Sequence, residues 1–378
     1  MGDHAEAEAP RRPFGHAAFK DELDVVGSAQ VQVRAAIRRK PVKKAITVLA
    51  TCAVLFGGFG TQGSRVAAQT GHTRAHQSTA SVSLASLRGK TIGISEPDII
   101  GPFFVNILYG AEKEAKKYGI KLIIEDAGGY SNIDKQISQF ETLISKHVDA
   151  IFVDPADFKA FVPVVKRALA AHIPVFGFGD PVTGAVSSVY GAHYRIGQAI
   201  ANFLGQTVKQ GEIVAEAGPP GAVWTTTRYK GFIATLKKYP GLQLKATQWT
   251  NADSTDGLNT TEDFLARFPN LKGIYAADNS IGEGAGDAVA ARHVQDQVAV
   301  ATAVMSIATR DMIRKGYIKF DVAMQVVMFG RIAIQNAIKY WQHKPVPKDV
   351  VPAMINVTKA NVNTVNYGTM MAPPGFKP

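Results

Sequence analysis

The sequence predicts an α/β protein of two lobes, each a doubly wound parallel sheet, joined by a hinge. Three observations predict it. From Thr91 onward, short apolar runs alternate with helical stripes, the pattern of strands and crossover helices in a parallel sheet. The alternation starts afresh near Glu212. The chain has 378 residues and ordinary globular composition, which is enough for two domains.

In the first half the strands read as TIGIS (91–95), KLIIED (121–126), AIFVD (150–154) and PVFGFG (174–179). Between them, apolar residues recur at three- and four-residue spacing. Phe104, Leu108, Ala111, Ala115 and Tyr118 form one helix face, and Ile133, Ile137, Phe140, Leu143 and Ile144 a second. Phe161, Val164, Val165, Ala168 and Leu169 form the third. In the second half the strands read as EIVAEAG (212–218), LQLKATQW (242–249), GIYAAD (273–278) and VAVATAV (298–304). Helices are expected to begin near Thr225, Leu258, Gly282 and Ala308.

In sheets of this kind, ligands bind beyond the carboxyl ends of the strands. Those ends carry Glu96 to Gly101, Asp154-Pro155, Gly179-Asp180-Pro181, Gly218 to Gly221, Trp249, Asp278-Asn279 and Met305. Two helix starts add Phe103 with Phe104, and Trp224. Carboxylates and large aromatics gathered at strand ends make a site-like collection. Asp154 and Asp180 each precede a proline, so each also reads as a plain turn or cap. Phe104 begins an apolar stripe, whereas Phe103 lies off it and has no core partner by spacing. The loop Asp126-Ala127-Gly128-Gly129 needs no further role.

Catalytic and cofactor motifs are not found. No G-x-S-x-G elbow, H-E-x-x-H or Walker sequence occurs, and the nine histidines are dispersed. NSIGEGAGDAV (279–289) opens a helix after a strand, but its glycines lack the G-x-G-x-x-G spacing and read as close helix packing. The expectation is therefore a protein that is not an enzyme and holds no cofactor or metal. Of the formal charge of +11, residues 1–68 hold ten Lys/Arg against six Asp/Glu, and from Arg88 onward the basic residues are scattered, with no run long enough to follow a phosphate backbone, which argues against nucleic acid.

The N-terminus reads as an address. Lys43-Lys44 precedes an apolar run from Ala45 to Phe59, and Val66-Ala67-Ala68 has small residues where a signal peptide is cleaved. Residues 1–68 are thus an extension and signal segment with cleavage after Ala68, and 69–87 a linker. The apolar run is short of the roughly 20 residues of a membrane anchor and is broken by Gly57-Gly58. The single cysteine, Cys52, lies in this segment, so the exported chain holds no disulfide and stands on its core.

From about Lys90 to Lys344 the order of features resembles the type I periplasmic solute-binding proteins, in their ribose-binding-like branch. The resemblance rests on linked segments: GPFFVNILYGAEKEAKKYG (101–119), IDKQISQFETLISKHVDAIFVDPAD (133–157), AAHIPVFGFGD (170–180), GPPGAVWTTTRYKGF (218–232) and GIYAADNSIGEGAGDAV (273–289). It implies a periplasmic, monomeric protein that closes on a small solute and delivers it to the permease of an inner-membrane ABC importer. It implies lobes formed by 88–191 with 324–355 and by 192–323 with 356–378, the chain crossing near Tyr190 to His193, Asp321 to Gln325 and Asn356. The ligand positions it implies are Phe103, Phe104, Asp154, Asp180, Trp224 and Thr226, with Trp249, Asp278, Asn279, Met305 and Gln325.

Several of these positions depart from the sugar-binding pattern. Gly101 replaces an asparagine, Thr226 an arginine, and Met305 follows the strand where an aspartate is usual. Arg228 matches a neighbouring arginine that supports its helix. The aromatic and acidic remainder also resembles periplasmic proteins that sense trimethylamine N-oxide and report to a membrane histidine kinase. A sensor with a kinase ectodomain as partner is therefore the alternative expectation. A LacI-type repressor shares the fold, but its N-terminal helix-turn-helix has no counterpart in residues 1–68.

Overall fold

A computed structural model of the protein describes residues 87–378. The signal segment, its cleavage position and residues 69–86 lie outside the described residues. Leu87, expected in the linker, is already fully buried.

Two six-stranded sheets carry the fold. The first contains β1 (Thr91–Glu96), β2 (Lys121–Asp126), β3 (Ala150–Val153), β4 (Val175–Gly179), β5 (Ser187–Tyr190) and β11 (Asp349–Val350), in the order β11-β5-β4-β3-β1-β2. All its pairings are parallel. The second contains β6 (Gly211–Glu216), β7 (Leu242–Gln248), β8 (Leu271–Ala276), β9 (Ala299–Ala303), β10 (Phe320–Met324) and β12 (Met354–Val357), in the order β12-β10-β9-β8-β6-β7. Only β12 runs antiparallel. Strand order reverses between β1 and β3 in one sheet and between β6 and β8 in the other. Those are the two crevices where such sheets bind ligands.

Helices alternate with the strands: α1 (Pro102–Tyr118), α2 (Ile133–Ser145), α3 (Phe158–Ala170), α4 (His193–Val208), α5 (Val223–Leu236), α6 (Ser254–Arg267), α7 (Asn279–Ala291), α8 (Ile307–Lys315) and α9 (Val326–Trp341). Helices α5 to α8 begin one to four residues earlier than their apolar periodicity indicates, because polar caps start three of them. Asp253, Asp278 and Ser306 accept from the backbone N–H groups of Asp256, Ile281 and Thr309, satisfying donors that a helix start leaves free.

The chain passes between the sheets after Tyr190, at Met324 to Val326, and between Val350 and Met354. The third passage precedes the expected Asn356, since Met354 and Ile355 already pair with β10. Strands β5 and β10 escaped the apolar-run reading because their sequences, SSVY and FDVAM, interrupt apolar runs with serines and an aspartate. The C-terminal segment also reaches across. Met370 and Met371 pack under the second sheet, and the Ala372 N–H donates to Asn106 Oδ1 of α1 at 2.8 Å.

Candidate functional site

The carboxyl ends of both sheets face one cavity of about 450 Å³. On the first sheet, Glu96 closes β1, Asp154 follows β3 and Asp180 follows β4, so sheet order sets three acids side by side. All three are buried. Asp154 does not cap α3, because Asp157 does so through the Ala160 N–H at 2.8 Å. Asp154 Oδ1 and both Glu96 carboxylate oxygens accept no hydrogen bond. Burial, then the neighbouring Asp180 charge, raises the Asp154 pKa well above the usual carboxylate range. Burial first, and next the charge of Asp154, does the same to Glu96.

His193, at the start of α4, places Nε2 2.9 Å from Asp180 Oδ1, near enough for an ion pair but out of line for a hydrogen bond. Burial depresses the imidazole pKa against the pull of Asp180. From the second sheet comes Arg228, buried on α5. It donates to the Ala277 carbonyl at 2.7 Å and lies over the Trp224 ring, 4.7 Å from its centroid. Asp278 caps α7, yet burial lifts its pKa to about 6.

Aromatic side chains bridge the two halves. Phe103 meets Phe104 edge-on at 5.3 Å, Phe104 meets Tyr130 at 6.3 Å, and Tyr130 meets Trp224 at 6.2 Å. Trp224 Nε1 donates to the Tyr130 hydroxyl at 3.0 Å, linking α5 to the loop after β2.

Seven of the expected positions line this cavity: Phe103, Phe104, Asp154, Asp180, Trp224, Asp278 and Asn279. Four do not. Thr226 donates to carbonyls of its own first turn, at Ala222 and Val223. Helical phase explains it: Trp224 and Arg228 are one turn apart on the face that meets the cavity, and Thr226 lies between them on another. Trp249, past the edge strand β7, packs against Tyr229 at 5.6 Å. Met305 is buried under the second sheet, because Val304 before it takes a left-handed φ of 72° that turns the chain. Val304 itself lines the cavity, and a β-branched residue in that conformation is strained. Gln325 sits on the second passage and donates to the Ala353 carbonyl at 3.1 Å.

Phe103 does have a core partner, Phe329 of α9 at 6.4 Å, which spacing along α1 could not reveal. The loop after β2, read as needing no role, supplies Gly128, Gly129 and Tyr130. The strand-end rule, applied to β2, would have found them. Arg228 was legible as the residue one turn beyond Trp224. His193 carried no local signal.

A family model described as a periplasmic binding protein domain matches residues 92–345. The ribose import binding protein of Bacillus subtilis is 36% identical over 204 residues, covering 53% of this chain and 65% of that protein. That match spans just under two thirds of the relative's own length. The periplasmic protein TorT of Escherichia coli is 22% identical over 307 residues, covering 79% of this chain and 86% of that protein. A carbohydrate transporter solute-binding protein from Agrobacterium radiobacter, solved in complex with D-arabinose, matches with TM-score 0.72 and 26% identity. That comparison covers 75% of this chain and 99% of the other.

Proposed function

The chain belongs to the periplasmic binding protein domain family, and from that premise we propose that it is a solute-binding protein serving an ABC importer. It captures a small sugar-like or other polar solute between two lobes and presents the closed form to an inner-membrane permease. The lobes are 88–191 with the segment from Met324 to about residue 353, and 192–323 with the chain from Met354 onward. A cleavable signal delivers the chain to the periplasm, where it acts as a monomer and catalyses nothing. The observation that carries this reading is the cavity lined from both sheets at their carboxyl ends, with aromatic faces and buried acids among its walls.

Thermal shift of the purified protein against pentoses, hexoses and polyols tests it. A true ligand at a hundredfold excess over Kd stabilises by about 2.7 kcal/mol, a shift of several degrees. Replacing Phe103 by Ala should weaken that ligand about tenfold or more while the protein still folds, since the ring is only half-buried. If no sugar or polyol moves the transition, import of such a solute is wrong.

The match to TorT along most of the chain, with this aromatic and acidic cavity, supports a second reading. The same closure would then be read by a membrane histidine kinase. Neighbouring genes separate the two, a permease and ATPase pair against a kinase.

A further inference from the structure

Five aspartates line the cavity against one guanidinium. That guanidinium, on Arg228, donates through one nitrogen to the Ala277 carbonyl and lies over the Trp224 face, and its charge is shared among Asp154, Asp180 and Asp278. Glu96 stands behind them at the end of β1 and is fully buried. Asp154 and Asp180 are each 2% exposed, and the first sheet contributes no Lys or Arg to the lining. The neighbour of Asp180 is an imidazole that burial keeps towards its neutral form.

Unpaired buried carboxylates are costly, and a ligand is the natural source of what they lack. Hydroxyl groups donate hydrogen bonds to them but leave their charge uncompensated. An ammonium group supplies both, with up to three donors and a full positive charge. Among the described residues no group of three or more His, Cys, Asp and Glu is arranged to hold a metal ion. Phe103, Phe104 and Tyr130 beside the acids offer ring faces and edges to the carbon skeleton of an organic cation and to the charge itself.

We propose, building on the solute-capture reading, that the captured solute bears an N–H-carrying ammonium group, as an amino sugar or amino polyol does, seated between Asp154 and Asp180. Glu96 backs that seat. Burial raises the pKa of Asp154 and Glu96 in the empty protein, and a cation seated beside them lowers it again, so binding releases protons and tightens as pH rises toward the pKa of the amine.

Matched pairs test this: glucosamine with glucose and N-acetylglucosamine, and 1-amino-1-deoxysorbitol with sorbitol. Choline and calcium chloride serve as cation controls. Thermal shift and titration calorimetry are run at pH 6 and pH 8, the latter in two buffers of different ionisation enthalpy. The expected result is an amine bound at least tenfold tighter than its hydroxyl or acetamide counterpart, with proton release on binding. Asp154→Asn should abolish that preference without lowering the melting temperature of the empty protein. If a neutral sugar binds as tightly as its amine, the ammonium seat is refuted while solute capture stands. Equal binding of choline removes the requirement for N–H, and equal stabilisation by calcium makes the site a metal site, either of which overturns the proposal. Silence from every amine and every neutral sugar would sink solute capture and the ammonium seat together.

Discussion

Asp278 is pulled two ways. As the cap of α7 it accepts from the Ile281 N–H, which favours the carboxylate, but burial outweighs that and leaves its pKa at about 6. Glu216, at the end of β6, is pushed further, to about 8, by burial against the pull of the Thr261 hydroxyl. An acid whose pKa is raised on folding binds its proton more tightly in the native state. Its destabilising effect is absent below the ordinary carboxylate range and grows as pH climbs to the raised value, at about 1.4 kcal/mol per pH unit. The empty protein should therefore lose stability between pH 5 and pH 8. Glu216→Gln should flatten that decline, because no proton remains to be lost, while Thr261 keeps an acceptor. Melting curves across the range would show it, and an unchanged slope would mean Glu216 is ionised throughout. Neither shift could be read from the sequence, since burial at a strand end depends on which helices and loops the fold packs around it.

Between helices the spacing is set by absent side chains. A Cβ on Gly197 of α4 would lie 1.8 Å from the Arg228 carbonyl of α5, and one on Gly231 would lie 2.1 Å from the Tyr194 carbonyl. The two helices therefore touch backbone to backbone, and this fixes the height at which α5 presents Trp224 and Arg228 to the cavity. Gly197→Ala forces them apart. We expect it to cost about 2 kcal/mol or more, as overpacking does, and to weaken ligand binding although residue 197 lines no part of the cavity. Unaltered binding in a destabilised variant would show that α5 tolerates the shift. Among the glycines of α7, read from sequence as packing rather than nucleotide binding, Gly284 behaves alike: a Cβ there would meet the Ser254 carbonyl at 2.2 Å, while Gly282 and Gly286 pack on the side chains of Thr302 and Met312. That inference was open to sequence because glycine inside an apolar helix has few other uses. The orientation of Thr226 and the burial of Met305 were not, being matters of helical phase and of a left-handed residue at Val304.

Across the whole binding-protein body, among the described residues, three passages of chain join the sheets and noncovalent contacts add to them, two of which are hydrogen bonds far from the passages. One is that of the C-terminal segment on Asn106. The other is the Trp224–Tyr130 hydrogen bond at the cavity. Tyr130→Phe keeps the ring and removes the acceptor, a loss of about 1 kcal/mol. If the lobes move as proposed, the empty variant should open further, giving a larger radius of gyration by X-ray scattering, with the ligand-bound curve unchanged. Identical curves for empty variant and empty parent would show that this bond does not hold the cleft.

The alternation of apolar strands and striped helices, written twice, was enough by itself to determine two parallel sheets and to direct attention to their carboxyl ends. Those features are local, carried by periodicities within one element. Seven of the eleven named positions fell at the cavity because a strand end is legible in the run that precedes it. Tertiary structure alone decided which side chains complete the site. Tyr130, His193 and Arg228 arrive from a loop, a passage between sheets and a helix face, brought together by contacts between residues far apart in the chain. It also decided the chemistry of the acids, because a carboxylate is an ordinary turn residue until a second sheet closes off its water.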